Sequence, residues 1–183
     1  MTRLVIITLF VLIQHTGNAQ KYFTKSGTIS FFSKTDMENI DATSKSAVCV
    51  LDAATGKMEW SVLIKGFQFE KALMQEHFNE NYMESDKFPK AIFKGSIQNF
   101  AKINLGTNGK HKVIVDGDLT IHGVTKKIST SGTLEIKDGK VVTASEFDIT
   151  IADYGISIPN LVKDNIAKTL KISVSGMLEP LKS

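Results

Sequence analysis

Few side chains in this sequence could carry chemistry. After residue 19 the chain has three histidines, His77, His111 and His122, which lie far apart. A zinc site is normally recognised from ligands a few residues apart, so a site here would have to be gathered by the fold. His111 is expected to be exposed at the start of a strand, His77 to be packed on a helix, and His122 to be hydrogen-bonded in a turn. The spacing therefore favours structural roles, and no metal site is predicted.

Cys49 and the aspartate pair Asp116 and Asp118 are the remaining candidates. Cys49 is the only cysteine, so no intramolecular disulfide can form. It lies in the apolar run 47–51, where a thiol is typically a small buried hydrophobic group rather than a nucleophile. Asp116 and Asp118 share one face of a strand and could perform acid–base catalysis, but their neighbours on that face are polar, which favours a solvated surface.

The known catalytic motifs are absent from the sequence. It has no nucleophile elbow, no zinc-protease helix, no phosphate-binding glycine loop and no EF-hand loop. We therefore predict that the protein is not an enzyme and has no cofactor. The alternative is an enzyme that acts on a lipid through His77 or His122.

The basic residues argue against nucleic-acid binding. The chain has 22 lysines and arginines against 19 acidic residues, and Arg3 is the only arginine. Arginine supplies the planar fork that binds phosphates and reads guanine, and the lysines are scattered rather than clustered. We predict no nucleic-acid partner.

Residues 1–19 have the pattern of a secretory signal peptide. Arg3 precedes an apolar run at 4–13, and Gly17 and Ala19 place small residues at a cleavage site. The apolar run is too short to span a bilayer, and no cysteine follows the site for lipid attachment. The sequence therefore predicts a periplasmic or secreted protein that neither spans the membrane nor is a lipoprotein. Its domain would cover 20–183.

Beyond the signal peptide, apolar residues alternate with polar ones, as in half-buried strands. Val113, Val115, Gly117 and Leu119 share one parity, and the intervening residues are mostly polar. Asp138 and Gly139 join two such segments by a tight hairpin turn. The predicted strands are 23–33, 44–52, 57–66, 89–99, 111–121, 126–137, 140–151 and 169–179.

Short connections between these segments predict antiparallel neighbours. Eight such strands can close into a barrel wide enough for its own side chains or for one small ligand, and closure removes exposed edges. The fold class is therefore all-β, an eight-stranded antiparallel barrel. An open two-sheet sandwich is the alternative.

One amphipathic helix, at about 70–82, interrupts the strands. Its apolar residues recur at helical spacing, whereas Gln75 is assigned to the polar face. The apolar stripe consists of Leu73, Met74, His77, Phe78 and Tyr82. Since everything around the helix is predicted to be strand, the stripe is expected to cover one end of the barrel.

Three segments resemble the YceI-like family of secreted and periplasmic bacterial proteins. They are the stretch 77–93 (HFNENYMESDKFPKAIF), the stretch 117–126 (GDLTIHGVTK) and the tetrapeptide 153–156 (DYGI). The resemblance covers essentially all of the chain after residue 19. It implies a lipocalin-like barrel whose elongated apolar cavity holds a polyisoprenoid chain, such as that of a quinone. The chain departs from the family at Ile151, where many members carry a basic residue.

We therefore expect a non-catalytic carrier whose partner is a hydrophobic small molecule, a polyisoprenoid or another long-chain lipid. Strand parity and the large apolar side chains single out the expected ligand-binding residues. They are Trp60, Val62, Phe69, Leu73, His77, Phe78, Phe88, Phe93, Val115, Leu119, Leu134 and Phe147. The alternative is an exported stress-response or interaction protein with a solidly packed barrel. The oligomeric state is left open, a homodimer included.

Overall fold

The computed structural model describes residues 20–181, which form one antiparallel β-barrel closed by short helical segments. Eight strands are long, and β4 has only two residues. The strands are β1 (Lys21–Lys34), β2 (Asn39–Asp52), β3 (Lys57–Leu63), β4 (Gln68–Phe69), β5 (Lys90–Ile97), β6 (Gly109–Ile121), β7 (Val124–Lys137), β8 (Lys140–Thr150) and β9 (Thr169–Pro180).

The long strands close on themselves. They are ordered β1, β9, β8, β7, β6, β5, β3, β2, and β1 also pairs with β2, which completes the ring. The predicted eight-stranded antiparallel barrel is confirmed, and the open sandwich is excluded. Since hydrophobic side chains alternate inward along each strand, closure brings all of the apolar faces to one interior.

Two hairpins use residues with positive φ. Asp138 and Gly139 have φ of 51° and 75°, as the predicted turn between β7 and β8 requires. His122 and Gly123 repeat this geometry, with φ of 50° and 75°, between β6 and β7. As a result β7 begins at Val124, two residues earlier than the sequence predicted.

One pair of strands separates towards one end of the barrel. The ladder between β7 and β8 joins Gly132 to Ser145 and runs from there to the hairpin. Residues 124–131 of β7 pair only with β6, and residues 146–150 of β8 pair only with β9. The barrel thus has a complete half around the β7–β8 hairpin and a half with a seam, which we call the mouth half.

The helix begins at Ala72, later than predicted, and changes its winding midway. The segment α1 (Ala72–His77) is a regular α-helix, and Phe78–Tyr82 continues it with the wider π-type winding. Three further segments at the mouth are single 3-10 turns: Ile64–Gly66, Ile151–Tyr154 and Asn160–Val162.

The predicted polar and apolar faces of the helix require correction. Leu73 is 62% exposed, and His77 is also exposed. Gln75, predicted to face water, is half-buried, and its Oε1 accepts a hydrogen bond from the backbone N–H of Phe69 at 3.2 Å. The helix packs through Met74, Phe78 and Tyr82 instead. These residues are four positions apart and form a narrower stripe than predicted, with Leu73 outside it.

The end of the complete half nearest the β7–β8 hairpin is packed solid. Leu51, Val141 and Leu178 are fully buried there, and Tyr22 is 4% exposed. Cys49 is also fully buried, and burial raises the pKa of its thiol well above the usual value. The cysteine is therefore part of the core, as predicted.

Candidate functional site

The barrel encloses a cavity of about 170 Å³, which we call the inner cavity. It begins in the mouth half and reaches into the complete half as far as Leu134 and Thr143. Its wall is built by the inward parity of several strands, and nearly all of the side chains on it are apolar. Eight of the predicted ligand-binding residues lie on this wall: Trp60, Val62, Phe78, Phe93, Val115, Leu119, Leu134 and Phe147. Period-two alternation explains their convergence, because every second residue of a closed sheet faces the same interior.

The indole of Trp60 forms the floor of the inner cavity. A methyl group on Gly27 of β1 would lie 2.6 Å from the Trp60 ring, and one on Gly176 of β9 would lie 2.8 Å from it. The ring therefore reaches from β3 across to β1 and β9, and it fits only because both positions lack a side chain. Met58, Ile97 and Val113, which lie nearer the β7–β8 hairpin than Trp60, also line the cavity, so the floor covers only part of the barrel's width.

A second cavity of about 180 Å³, the outer cavity, lies between the helix and the segment 156–166. Its wall is mixed, since Glu38, His77 and Asn165 join apolar residues there. Phe69 also lines it. The predicted residues Phe69 and His77 thus lie at the outer cavity rather than on the barrel wall.

Phe31 and Phe78 form a partition between the two cavities. Both residues line both cavities. Their rings are stacked with centroids 5.4 Å apart, and Phe78 also contacts Phe67 and Phe69 at 5.9 and 5.0 Å. The winding of the helix changes at Phe78, and helices with such local widening often place side chains at functional sites.

Two predicted ligand-binding residues lie at neither cavity. Leu73 projects to solvent from α1 because the helix packs through its neighbouring face. Phe88 packs edge-on against the imidazole of His122 with centroids 4.6 Å apart, and it lies over Gly123. Phe88 therefore packs on the β6–β7 turn and lines neither of the two cavities.

His122 joins three segments around the mouth. Its Nε2 lies 2.8 Å from Oε2 of Glu84, and its Nδ1 lies 3.3 Å from the carbonyl oxygen of Tyr154. The hydrogen bond from His122 holds the pKa of the Glu84 carboxyl below its usual range, and Lys87 adds to the effect. This arrangement, the His122 clamp, is the hydrogen-bonded structural role predicted for the residue.

Glu38 makes a second link, at the rim of the outer cavity. Its carboxylate accepts hydrogen bonds from Nζ of Lys71 at 2.9 Å and from Nδ2 of Asn165 at 3.3 Å. Both hydrogen bonds lower the pKa of the Glu38 carboxyl, and the bond from Lys71 has the larger effect. The β1–β2 turn, the start of the helix and the segment after β8 are thereby held together.

Sequence reasoning missed several wall residues. Phe31 continues the inward parity of Ile29 and could have been found from that alternation. Met83, Ile151 and Ile156 line both cavities but belong to segments without strand periodicity. Ile151 is only 6% exposed, so it forms part of an apolar wall in this chain.

Within residues 20–181, no group of three or more His, Cys, Asp and Glu side chains could hold a metal ion. The helices in that range are all too short or too polar to cross a membrane.

Comparison with known proteins agrees with this geometry. The model of the YceI-like domain matches residues 9–177. The chain belongs to the YceI-like family. A comparison with curated protein sequences finds no match.

Solved structures share the fold of this YceI-like protein. A polyisoprenoid binding domain from Saccharophagus degradans, implicated in plant cell wall breakdown, superimposes with a TM-score of 0.76 at 14% identity. The match covers 89% of this chain and 99% of that one. BcnA of Burkholderia cenocepacia gives 0.67 at 17% identity, with 83% and 95% covered. The YceI protein of Campylobacter jejuni gives 0.57 at 16% identity, with both chains fully covered.

Proposed function

We propose that this protein is a non-catalytic carrier that binds a long-chain apolar or amphiphilic lipid, of isoprenoid or quinone type, inside its barrel. The observation that carries the proposal is the inner cavity, an unfilled space walled by apolar side chains from most strands. Protein interiors normally pack to the density of organic crystals, so a space of this kind inside the barrel favours a ligand that fills it.

Burial of hydrocarbon would supply the affinity. Each methylene moved from water into the cavity contributes about 0.8 kcal/mol before the costs of ordering the chain. The wall offers no ionised side chain, so the part of the ligand that lies inside it is uncharged. The name of the Saccharophagus degradans domain, which states polyisoprenoid binding, supports this ligand class.

The size of the cavities supports a ligand that uses both of them. Binding sites for small molecules typically measure about 300–1,000 Å³. Each cavity alone is smaller than that, and the two together fall within the range. A long chain would occupy both when the Phe31–Phe78 partition opens.

The alternative of a solidly packed barrel with a function on its loops fits only the end of the complete half nearest the β7–β8 hairpin. Leu51 and Leu178 leave no space there. The part of the barrel from there to the mouth has the cavity instead, which favours the carrier.

The proposal places the protein in the periplasm or outside the cell, without a lipid anchor. This rests on the signal-peptide pattern, whose residues lie outside the described part of the chain. N-terminal sequencing of the exported protein is expected to give Gln20 as the first residue. A membrane-bound product that retains Met1 would contradict the predicted cleavage.

Binding is tested with quinone analogues of graded tail length and with the fluorescence of Trp60, the only tryptophan. Because Trp60 forms the floor, its emission should change saturably when a tail fills the inner cavity. Val115→Phe adds bulk to the wall, so this variant is expected to accept only shorter tails. Ile114→Phe is the matched control, since Ile114 is 53% exposed on the outer face of the same strand.

The carrier proposal fails if no long-chain amphiphile gives a saturable response with the wild-type protein. Equal length limits for Val115→Phe and Ile114→Phe would instead show that the ligand binds elsewhere.

A further inference from the structure

One buried hydroxyl group on the wall of the inner cavity has no partner. Thr143 is 9% exposed, and its side chain lines the cavity. Its Oγ1 makes no hydrogen bond with any atom of the described residues. A hydroxyl can donate one hydrogen bond and accept two, and burying it without any is unfavourable.

The position of Thr143 is the deep end of the inner cavity. The residue lies on β8 opposite Leu134 of β7 and Gly176 of β9. Gly176 is where the tip of the Trp60 ring crosses the barrel. The hydroxyl therefore lies beside the floor, on the far side of the cavity from the Phe31–Phe78 partition.

Neighbouring polar groups do not satisfy it. Thr130 and Ser145 line the same part of the wall, and their hydroxyls lie 3.1 Å apart. Ser145 Oγ also donates to the backbone carbonyl of Ser131 at 2.8 Å. These two side chains bind each other and the strand backbone where β7 and β8 separate, which leaves Thr143 as the free hydroxyl.

We propose that the deep end of the inner cavity binds an oxygen atom of the ligand, a carbonyl or a hydroxyl, through the hydroxyl of Thr143. The inference rests on the proposed function and adds the chemistry of the ligand's buried end. A carbonyl oxygen would accept the hydrogen bond from Thr143, and a hydroxyl could accept or donate it. A lipid whose buried end is plain hydrocarbon leaves Thr143 unpaired and binds less tightly.

Two kinds of ligand carry such an oxygen. In a quinone with an alkyl tail, the ring would enter first and the tail would extend towards the partition. In an oxygenated chain, the end remote from the main polar group would carry a hydroxyl. Both kinds of ligand would place an uncharged oxygen atom at the floor of the cavity. Matched pairs of probes, one pair for each kind, distinguish them.

The experiment measures binding of two matched pairs by Trp60 fluorescence. One pair is decylbenzoquinone and decylbenzene, and the other is hexadecanoic acid and its ω-hydroxy derivative. The wild-type protein is expected to bind the oxygenated member of at least one pair about twofold to tenfold more tightly, as one neutral hydrogen bond allows. The pair that shows the preference identifies the source.

Three variants connect the preference to Thr143. Thr143→Val removes the hydroxyl with little change of shape, and it is expected to abolish the preference while the hydrocarbon member binds as before. Thr143→Ser keeps a hydroxyl and should keep the preference if the protein folds with an unchanged melting temperature. Thr150→Val is the control, because Thr150 is exposed on the same strand.

The outcomes separate the two proposals. If hydrocarbon and oxygenated probes bind equally to the wild-type protein and to Thr143→Val, the hydroxyl is satisfied by a trapped water and the inference is wrong, although the carrier stands. If no probe binds at all, the carrier itself fails. An equal loss of preference in Thr150→Val would also overturn the assignment to Thr143.

Discussion

At the scale of single residues, two glycines determine where the floor of the inner cavity lies. The Trp60 ring rests on Gly27 and Gly176, each too close to accept a methyl group. Gly176→Ala should therefore displace the indole, shift its emission spectrum and cost about 1–3 kcal/mol in overpacking. Gly109→Ala is the control, since a methyl group there would meet His111 at an ordinary 3.5 Å. An unchanged spectrum in Gly176→Ala would show that the ring lies elsewhere.

The corrected faces of the helix give a second prediction at this scale. Phe78 packs against three other phenylalanines, so Phe78→Ala should lose free energy of unfolding near the lower end of about 3–5 kcal/mol, since the ring is only partly buried. Gln75→Ala removes the acceptor of the Phe69 N–H and should cost about 1 kcal/mol. Leu73→Ala should change stability by less than about 0.5 kcal/mol. Denaturant titration measures all three, and equal losses for Leu73 and Phe78 would contradict the observed packing.

Which site residues the sequence could predict follows from how regular their elements are. Strand parity placed Trp60, Val115 and Leu134 correctly, because a period of two allows only two faces. Leu73 was misplaced because a helix of about three turns has several faces with apolar residues. Phe88 was misplaced because its neighbour His122, 34 positions later, binds it only through the fold.

At the scale of elements, the His122 clamp connects the loop after the helix to the β6–β7 turn and to the 3-10 turn Ile151–Tyr154. The pKa of Glu84 is lowered in the folded protein, so its contribution to stability is present above the usual value of 4.5 and is lost as the pH falls through the lowered value. Acidification below about pH 4.5 should therefore lower the melting temperature of the wild-type protein more than that of Glu84→Gln.

Parallel melting curves from about pH 6 down to about pH 3 test this prediction, with Glu59→Gln as the control. Glu59 pairs with Lys94 on the outer face of the barrel, away from the mouth. If the curves of wild type and Glu84→Gln stay parallel, the clamp contributes nothing to stability.

The segments at the mouth were the least predictable elements. Residues 152–168 show no strand pattern in the sequence, and in the structure Ile156 and Ile166 of this segment line a cavity. Both residues lie outside the 3-10 turns, in irregular backbone that imposes no period on its side chains. A loop that covers a cavity cannot be distinguished by its sequence from one that only connects two strands.

At the scale of the whole molecule, the barrel divides into a solid end around the β7–β8 hairpin and a hollow part that extends from there to the mouth. The strands and their closure were predictable, since period-two alternation and short turns fix antiparallel neighbours. The division was not, because whether facing side chains meet or leave a space depends on their packing in three dimensions. Trp60 is an example. The size of its side chain predicts that it is buried, but not that its ring forms the floor of a cavity.

The division predicts a gradient in hydrogen exchange. Backbone amides near Leu51 and Val141 lie in complete ladders around fully buried side chains, and they should exchange only through global unfolding. Amides of residues 146–150 and 124–131 lie beside the seam and should exchange faster. Ligand binding is expected to slow exchange in the mouth half alone. Uniform protection throughout the barrel would contradict this division.

The seam between β7 and β8 also has a mechanical consequence. Because the backbones of β7 and β8 are not hydrogen-bonded to each other in the mouth half, they can move apart there without breaking the ladders of the complete half. The two edges of the seam are bridged by Thr130 and Ser145 at its base, so widening stops there. For the proposed lipid ligand, this means that the width of the mouth could adjust to methyl branches while every ladder hydrogen bond of the complete half stays in place.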